Sequence, residues 1–551
     1  MIASVAALAS SGCVSALAQT TTATPYADFL IGSYAERARD PAAASQRFAA
    51  ALRMSPRDPL LLEGAADAAL ISGDVATAAQ LGRRADAIGL KSASGQLATA
   101  ALALRAGKHK AATTQLRTFE GAPVEQLSAA IINVWALAGS RRTDEALEAL
   151  RIDVSAPRSP WVALQHFERA LVFDYAGRNQ DALDAYARGA AAGGLRIAQV
   201  VLFHGELLER TGRTEEARAL YADMLDDVDN PAVRTALARL ERGEAPQRSL
   251  TPALGAAVSL FALAVLVGQD PVAQEDLTPL SLAMALAPDF EGSRLAFSDS
   301  MRALERGAAA REVLAAIPRT SPYYETAQSQ IAFSLRRDGR EDEAVAVLEA
   351  AVRETDGRAA RRALADLYRN LERYADAAPI YEALASDIDT PSARDWRLYF
   401  AQGATLERLG RWPEAEAALQ RALALSPDQP EVLNYLGYQW VDSGQKVREG
   451  LAILQRAVAQ RPDEGYIVDS LGWAHFKLGQ YDKAIELLER AVELSPGDVT
   501  LNDHLGDAYW RVGRKIEARY QWRRILTLAP TEAERASAER KLAGGLPPVV
   551  R

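Results

Sequence analysis

The chain has 551 residues, 49% hydrophobic, 25% charged and only 7% aromatic, so it buries a large core built chiefly from Ala and Leu and is not a disordered chain. Its 63 Lys and Arg face 72 Asp and Glu, a net charge of −9, which argues against a nucleic-acid partner because that role needs a positive surface. One cysteine, Cys13, excludes an intrachain disulfide and a thiolate zinc cluster; the five histidines (His109, His166, His204, His475, His504) never fall at HxxxH or HxH spacing, so no metal and no cofactor is expected.

Residues 1–18 read as a signal peptide. The apolar run IASVAALA is followed by Ala16-Leu17-Ala18 before Gln19, the small-x-small form that a signal peptidase needs. The basic start of such a leader is missing, since the chain opens Met1-Ile2-Ala3. A second reading lipidates Cys13 in Ser11-Gly12-Cys13, although Ser10 stands where a lipobox usually has Leu; a third is a plain frayed terminus. Residues 19–24 form a polar tether.

From 25 to 242 small residues and turn glycines recur as an N-terminal repeat array. The first unit carries Gly32, Ala44, Phe48, Ala51 and Pro56; later ones carry Gly73 with Ala78, Gly107 with Ala112, Gly139 with Ala146, Gly177 with Ala182, and Gly205 with Ala217 and Tyr221. Residues 243–320 read as a linker, GEAPQRSLTP, and degenerate helical pairs in which Pro288 and Gly307 keep the punctuation. The uncharged stretch 253–268 is shorter than the roughly 20 apolar residues of a spanning helix, and is expected to be a buried helix in phase with the repeat. The C-terminal repeat array, 321–532, opens with Ala332 and Gly339, then Ala365 and Tyr368. Residues 533–551 read as a charged capping helix and a GGLPPVV tail.

The beat is sharpest in the last four units. Gly403, Gly437, Gly472 and Gly506 are spaced by 34, 35 and 34, and each is followed seven residues later by Gly410, Gly444, Gly479 or Gly513. Pro427, Pro462, Pro496 and Pro530 keep the same period. Each unit reads as two helices joined by a tight turn. The second glycine closes the first helix, because a left-handed cap suits Gly; the proline stops the second, because it lacks the donor the ladder needs. The first glycine is expected where the two helices cross, and the bulky positions Leu419, Leu454, Leu488 and Trp522 are expected to fill the space between one pair and the next. One extra residue in 445–448 is expected to bulge that turn.

LNYLGYQWVDSG, VDSLGWAHFKLG and NDHLGDAYWRVG closely resemble the tetratricopeptide repeat. The resemblance implies an all-α, right-handed solenoid of about fourteen antiparallel helical pairs. It also implies a concave groove lined by first helices, whose groove-facing positions are two, five, nine, twelve and thirteen when the first glycine is eight. Those positions hold Asn434 and Tyr438; then Tyr466, Asp469, Trp473, Phe476 and Lys477; then Asp503, Asp507, Trp510 and Arg511. Aromatics beside carboxylates and amides suit an extended peptide, though Trp473 and Trp510 also suit packing on a neighbouring repeat. The family's carboxylate clamp of Lys and Asn is not matched, since Asp469 and Asp503 occupy its places.

No GxSxG, phosphate loop, HExxH or DxDxDG occurs, so the chain is not expected to be an enzyme. His475 falls on an inward position, and His504, beside Asp503, has no third group to orient it. The basic cluster Arg511, Arg514, Lys515, Arg519, Arg523 and Arg524 reads as a solvated face, with an acidic partner or lipid headgroups as the rival reading. The whole layout looks like envelope members of the family. It implies a non-catalytic, protein-binding scaffold or adaptor in the periplasm or at the outer membrane, membrane-associated only if lipidated. Some proteins of this layout deliver substrates to a carboxyl-terminal processing protease. The alternative is a structural assembly factor for secretion, polysaccharide export or outer-membrane biogenesis.

Overall fold

The computed structural model describes residues 25–38, 40–150, 158–246, 249–268 and 277–547. The leader, the tether and Cys13 lie outside them. Among the described residues there are thirty helices and no strand; twenty-eight form fourteen successive pairs, and Pro231–Glu241 and Glu532–Gly544 stand without a second helix. The chain divides into two compact units, Met1–Val347 and Leu348–Arg551.

Six of the fourteen pairs are built on one steric exchange. A Cβ on Gly403 would lie 2.7 Å from Leu419; on Gly437, 2.8 Å from Leu454; on Gly472, 2.8 Å from Leu488; and on Gly506, 2.5 Å from Trp522. The first helix surrenders a side chain where the second inserts its largest one, so the two backbones cross closely. The bulky positions therefore pack on the glycine of their own pair, rather than only between successive pairs as the spacing had suggested. Tyr221 on Gly205 and Phe48 on Gly32 repeat the exchange in the N-terminal unit. The turn glycines Gly410, Gly444, Gly479 and Gly513 all have φ between +72° and +84°, the left-handed cap expected of them. The extra residue near 446 lengthens one turn: Lys446 N–H donates to Trp440 O, six residues back, whereas Arg411, Gln480 and Arg514 each reach back five.

The segment 252–286 does not extend the row in phase. Pro252–Val267 has eleven of its sixteen residues buried, and an all-round apolar helix has no face to give to water. It packs on the first helices Ala93–Arg105, Pro123–Gly139 and Pro160–Tyr175. Thr278–Leu286 runs back beside it, onto Pro59–Ile71 and again Ala93–Arg105 and Pro123–Gly139. This apolar hairpin thus fills the face that the N-terminal first helices present. Trp135 Nε1 donates to Ser259 Oγ at 3.3 Å, and Arg105 Nη1 donates to the Ala285 carbonyl at 3.1 Å. Gly255 lies flat on the Trp135 ring, where a Cβ would come within 2.2 Å. Both hairpin helices fall short of a membrane span: among the described residues no helix is long and apolar enough to cross one.

Trp135 is 1% exposed and has nowhere to move. Gly255→Ala is expected to destabilise the N-terminal unit by about 1–3 kcal/mol. Gly497→Ala, whose Cβ meets nothing within 4 Å, is expected to leave stability unchanged. Urea unfolding followed by Trp fluorescence checks both.

Candidate functional site

The expected groove residues lie on three consecutive first helices of the C-terminal unit, Pro430–Asp442, Gly465–Lys477 and Val499–Arg511. On the first two, the groove face is partly open. Tyr466 is 47% exposed, the most accessible aromatic of the set. Tyr438 is half-buried, and burial with the nearby Asp442 and Asp469 charges pushes its hydroxyl up to about 12. Asn434 has a buried Oδ1 with no hydrogen-bond donor.

Trp473 is held from three sides. Its ring stacks on Phe476 at 4.6 Å and on His504 at 3.9 Å, and its Nε1 donates to Asp442 Oδ1 at 3.2 Å. Lys477 Nζ lies 5.4 Å over the same ring and donates to the Asp442 carbonyl at 3.1 Å. Burial acts to raise the Asp442 carboxyl, but the bonds from Trp473 and Lys477 outweigh it and hold its pKa down.

Asp469 is 3% exposed and points inward, where His504 Nδ1–H donates to its two oxygens at 2.9 and 3.1 Å. The third group that the sequence did not supply for His504 is thus a carboxylate one repeat earlier. Burial works against a charged His504, but the bonded Asp469, with Asp503 and Asp507 near, outweighs burial and raises its pKa above the ordinary 6.5. His475 is likewise buried and meets Gln480 Oε1 at 2.7 Å.

The last first helix is covered by the chain's own C-terminus. Lys541 Nζ, on Glu532–Gly544, donates to Asp503 Oδ1 at 2.7 Å and Asp507 Oδ2 at 2.9 Å. Asp507 also accepts from Trp522 Nε1 at 3.0 Å, and burial raises its carboxyl despite Lys541. Arg511 Nη1 donates to the Pro547 carbonyl at 2.6 Å. Trp510 sits 5.3 Å from Trp522, with Gly545, at φ +73°, laid over its ring. The basic cluster is partly spent inside the chain: Arg514 pairs with Glu489 and Glu517, Arg524 bonds the Pro496 carbonyl, and Lys515 lies 4.9 Å over Trp510.

In the N-terminal unit an open cleft of about 930 Å³ is lined by Thr326, Ser329, Phe333, Arg336 and Arg337 of helix Tyr324–Arg337, with Arg302 of Glu291–Ala303. These five occupy groove positions two, five, nine, twelve and thirteen counted from Ala332 as eight, so the same counting extended to that unit would have located them. Among the described residues no cluster of His, Cys, Asp or Glu is placed to hold a metal ion.

Family models described as "Tetratricopeptide repeat" match residues 29–93, 167–230, 330–393, 362–430 and 400–465, and one described as "TPR repeat" matches 472–513, together more than half of the chain. No curated protein matches. Similar solved structures include a chain of the APC/C hetero-tetramer Cut9–Hcn1, 16% identical, covering 97% of this chain and 98% of its own at a TM-score of 0.40. A tetratricopeptide repeat protein from Parabacteroides merdae ATCC 43184 is 15% identical, covering 45% of this chain and 96% of its own at 0.37. MamA AMB-1 is 24% identical, covering 30% and 96% at 0.27.

The His504–Asp469 pair carries a signed pH dependence. A raised imidazole pKa adds stability that is complete below about 6.5 and is lost as pH rises through the folded value. His504→Gln should therefore cost more stability near about pH 6 than near about pH 9. Thermal unfolding of both proteins at the two pH values measures this; an equal cost at both would mean that the imidazole is neutral throughout.

Proposed function

Because the chain belongs to the tetratricopeptide repeat family, whose members are generally protein-interaction scaffolds, we propose that it is a non-catalytic scaffold or adaptor holding an extended segment of a protein partner. The segment lies on the first helices Pro430–Asp442 and Gly465–Lys477. One observation carries this placement: Tyr466 stands 47% exposed on this face, with Asn434 and Tyr438 half-buried on the preceding first helix. The tyrosine rings supply apolar contact at little entropic cost, and the accessible part of the Asn434 amide a polar one. Trp473 and Lys477, locked by Asp442, give that segment a rigid floor. The neighbouring Asp469–His504 pair is buried under the Trp473 ring, which favours a positioning role for it over chemistry.

The finer role we propose is an exported adaptor of the bacterial envelope, periplasmic or at the outer membrane, that hands protein substrates to a carboxyl-terminal processing protease. The small-x-small pattern ending at Ala18 and the motifs LGYxW, DSLGW and DHLGDAYW support it.

Tyr466→Ala combined with Asn434→Ala is expected to weaken partner capture by roughly tenfold or more while helicity and melting stay nearly constant. A photo-crosslinking residue at position 438 in living cells reads the capture. Undiminished crosslinking would move the site off these two helices. Cell fractionation is expected to place the chain in the periplasm or with the outer membrane; a purely cytoplasmic distribution would remove the export reading.

A further inference from the structure

Of the cations clustered between 511 and 524, four are engaged within the chain. Arg511 donates to the Pro547 carbonyl, Arg514 pairs with Glu489 and Glu517, Arg524 donates to the Pro496 carbonyl, and Lys515 lies over the Trp510 ring. Arg519 and Arg523 are not engaged. Both are exposed on helix Lys515–Ile525, and neither guanidinium has an ion-pair or hydrogen-bond partner among the described residues. Glu517, the one acidic residue of that helix, is held by Arg514.

Two large apolar side chains stand beside these cations. Ile516, Arg519, Tyr520 and Arg523 are spaced by three and four, which places them on one face of the helix. Ile516 is 85% exposed and Tyr520 59%. The capping helix Glu532–Gly544 packs on the same helix and leaves this face open. Repeat packing asks for neither residue. Counted from the small residues Ala415, Gly450, Ala484 and Ala518, the three preceding second helices carry Pro413, Arg448 and Asp482 at the place of Ile516, and Ala417, Ala452 and Glu486 at the place of Tyr520.

We propose that this face of helix Lys515–Ile525 docks on the surface of an anionic phospholipid bilayer, with Arg519 and Arg523 on the lipid phosphates and Ile516 and Tyr520 at the boundary between headgroups and acyl chains. Basic and apolar groups interleaved on one short face match a surface that is charged outside and apolar just beneath. An arginine reaches the phosphates while its stem follows the apolar neighbours inward, and a ring bearing a hydroxyl suits that depth. A folded acidic partner would need a recess shaped to the projecting Ile516, whereas a bilayer yields around it. The net charge of −9 turns the rest of the chain away from an anionic surface, so the approach is one-sided. Two free cations make the contact reversible and sensitive to salt. It is independent of the face around Tyr466 and needs no acyl group on Cys13.

The test sediments the full chain carrying Cys13→Ser, which cannot be acylated, with vesicles of phosphatidylglycerol and phosphatidylcholine in equal parts. Cosedimentation is expected, with little on pure phosphatidylcholine, and about 0.5 M NaCl should release the bound chain. Arg519→Gln with Arg523→Gln should weaken binding about tenfold or more, and so should Ile516→Ser with Tyr520→Ser. All four side chains are exposed, so helicity and melting should match the parent. Ile516→Cys in the same background supplies a single thiol, and an environment-sensitive dye attached there should shift to the blue on the anionic vesicles. Absence of sedimentation with the anionic vesicles, equal sedimentation with both lipids, binding indifferent to either pair of substitutions, or a dye at 516 that stays in water while the chain sediments would each overturn the proposal. Saturable binding of a poly-glutamate peptide through Arg519 and Arg523, without vesicle binding, would also overturn it, by giving the face to an acidic protein.

Discussion

Six of the fourteen helical pairs rest on one exchange of volume. Where the two helices of a pair cross, one gives up its side chain and the other fills the vacancy with a large one: Leu419 on Gly403, Trp522 on Gly506, Tyr221 on Gly205. The exchange fixes how closely the helices approach and how far each is rotated about its own axis. Rotation decides which stripe of the first helix looks inward to its mate and which is left for something else. Interiors packed to this density leave no room for a methyl group at the crossing, so the stripe left over is equally well determined.

That leftover stripe is a receptive surface, and the chain supplies two of its own occupants. In the N-terminal unit the occupant is a greasy hairpin, drawn in by removal of apolar surface from water and located by Trp135 and Ser259. At the end of the C-terminal unit it is a charged helix, located by Lys541 between Asp503 and Asp507. The two solutions use opposite chemistry on geometrically equivalent positions. The stretch carrying Tyr466 and Asn434 and the Arg-bearing cleft beside Phe333 stay partly open.

The pairs were legible because their punctuation is a local steric demand. Glycine at 410, 444, 479 and 513 is required by the positive φ, and proline at 427 or 462 ends a ladder whatever surrounds it. Legibility faded where the same left-handed turn is borne by Arg141, Glu305 and Glu372, residues that carry no such signature. Gly139 and Gly307 lie two residues away and carry the glycine signature without the left-handed turn. For the hairpin, composition alone showed that 253–268 must be buried. It gave no sign of what buries it, because the contact with Trp135 spans 124 residues. The groove face of Asp469 followed from counting, whereas its closure by His504 depends on a side chain 35 residues further on. Counting finds a stripe; only neighbouring side chains decide whether the stripe is open.

The hairpin also sets an order of events at the ribosome. The first six pairs leave the exit tunnel before the segment that lines them exists as protein, so the Trp135 ring stays uncovered until Gly255 and Ser259 have followed. A nascent half-chain with that much bare apolar surface is a client for a holding chaperone. The contact that covers it joins residues 124 apart, a loop costly to close and therefore slow to form.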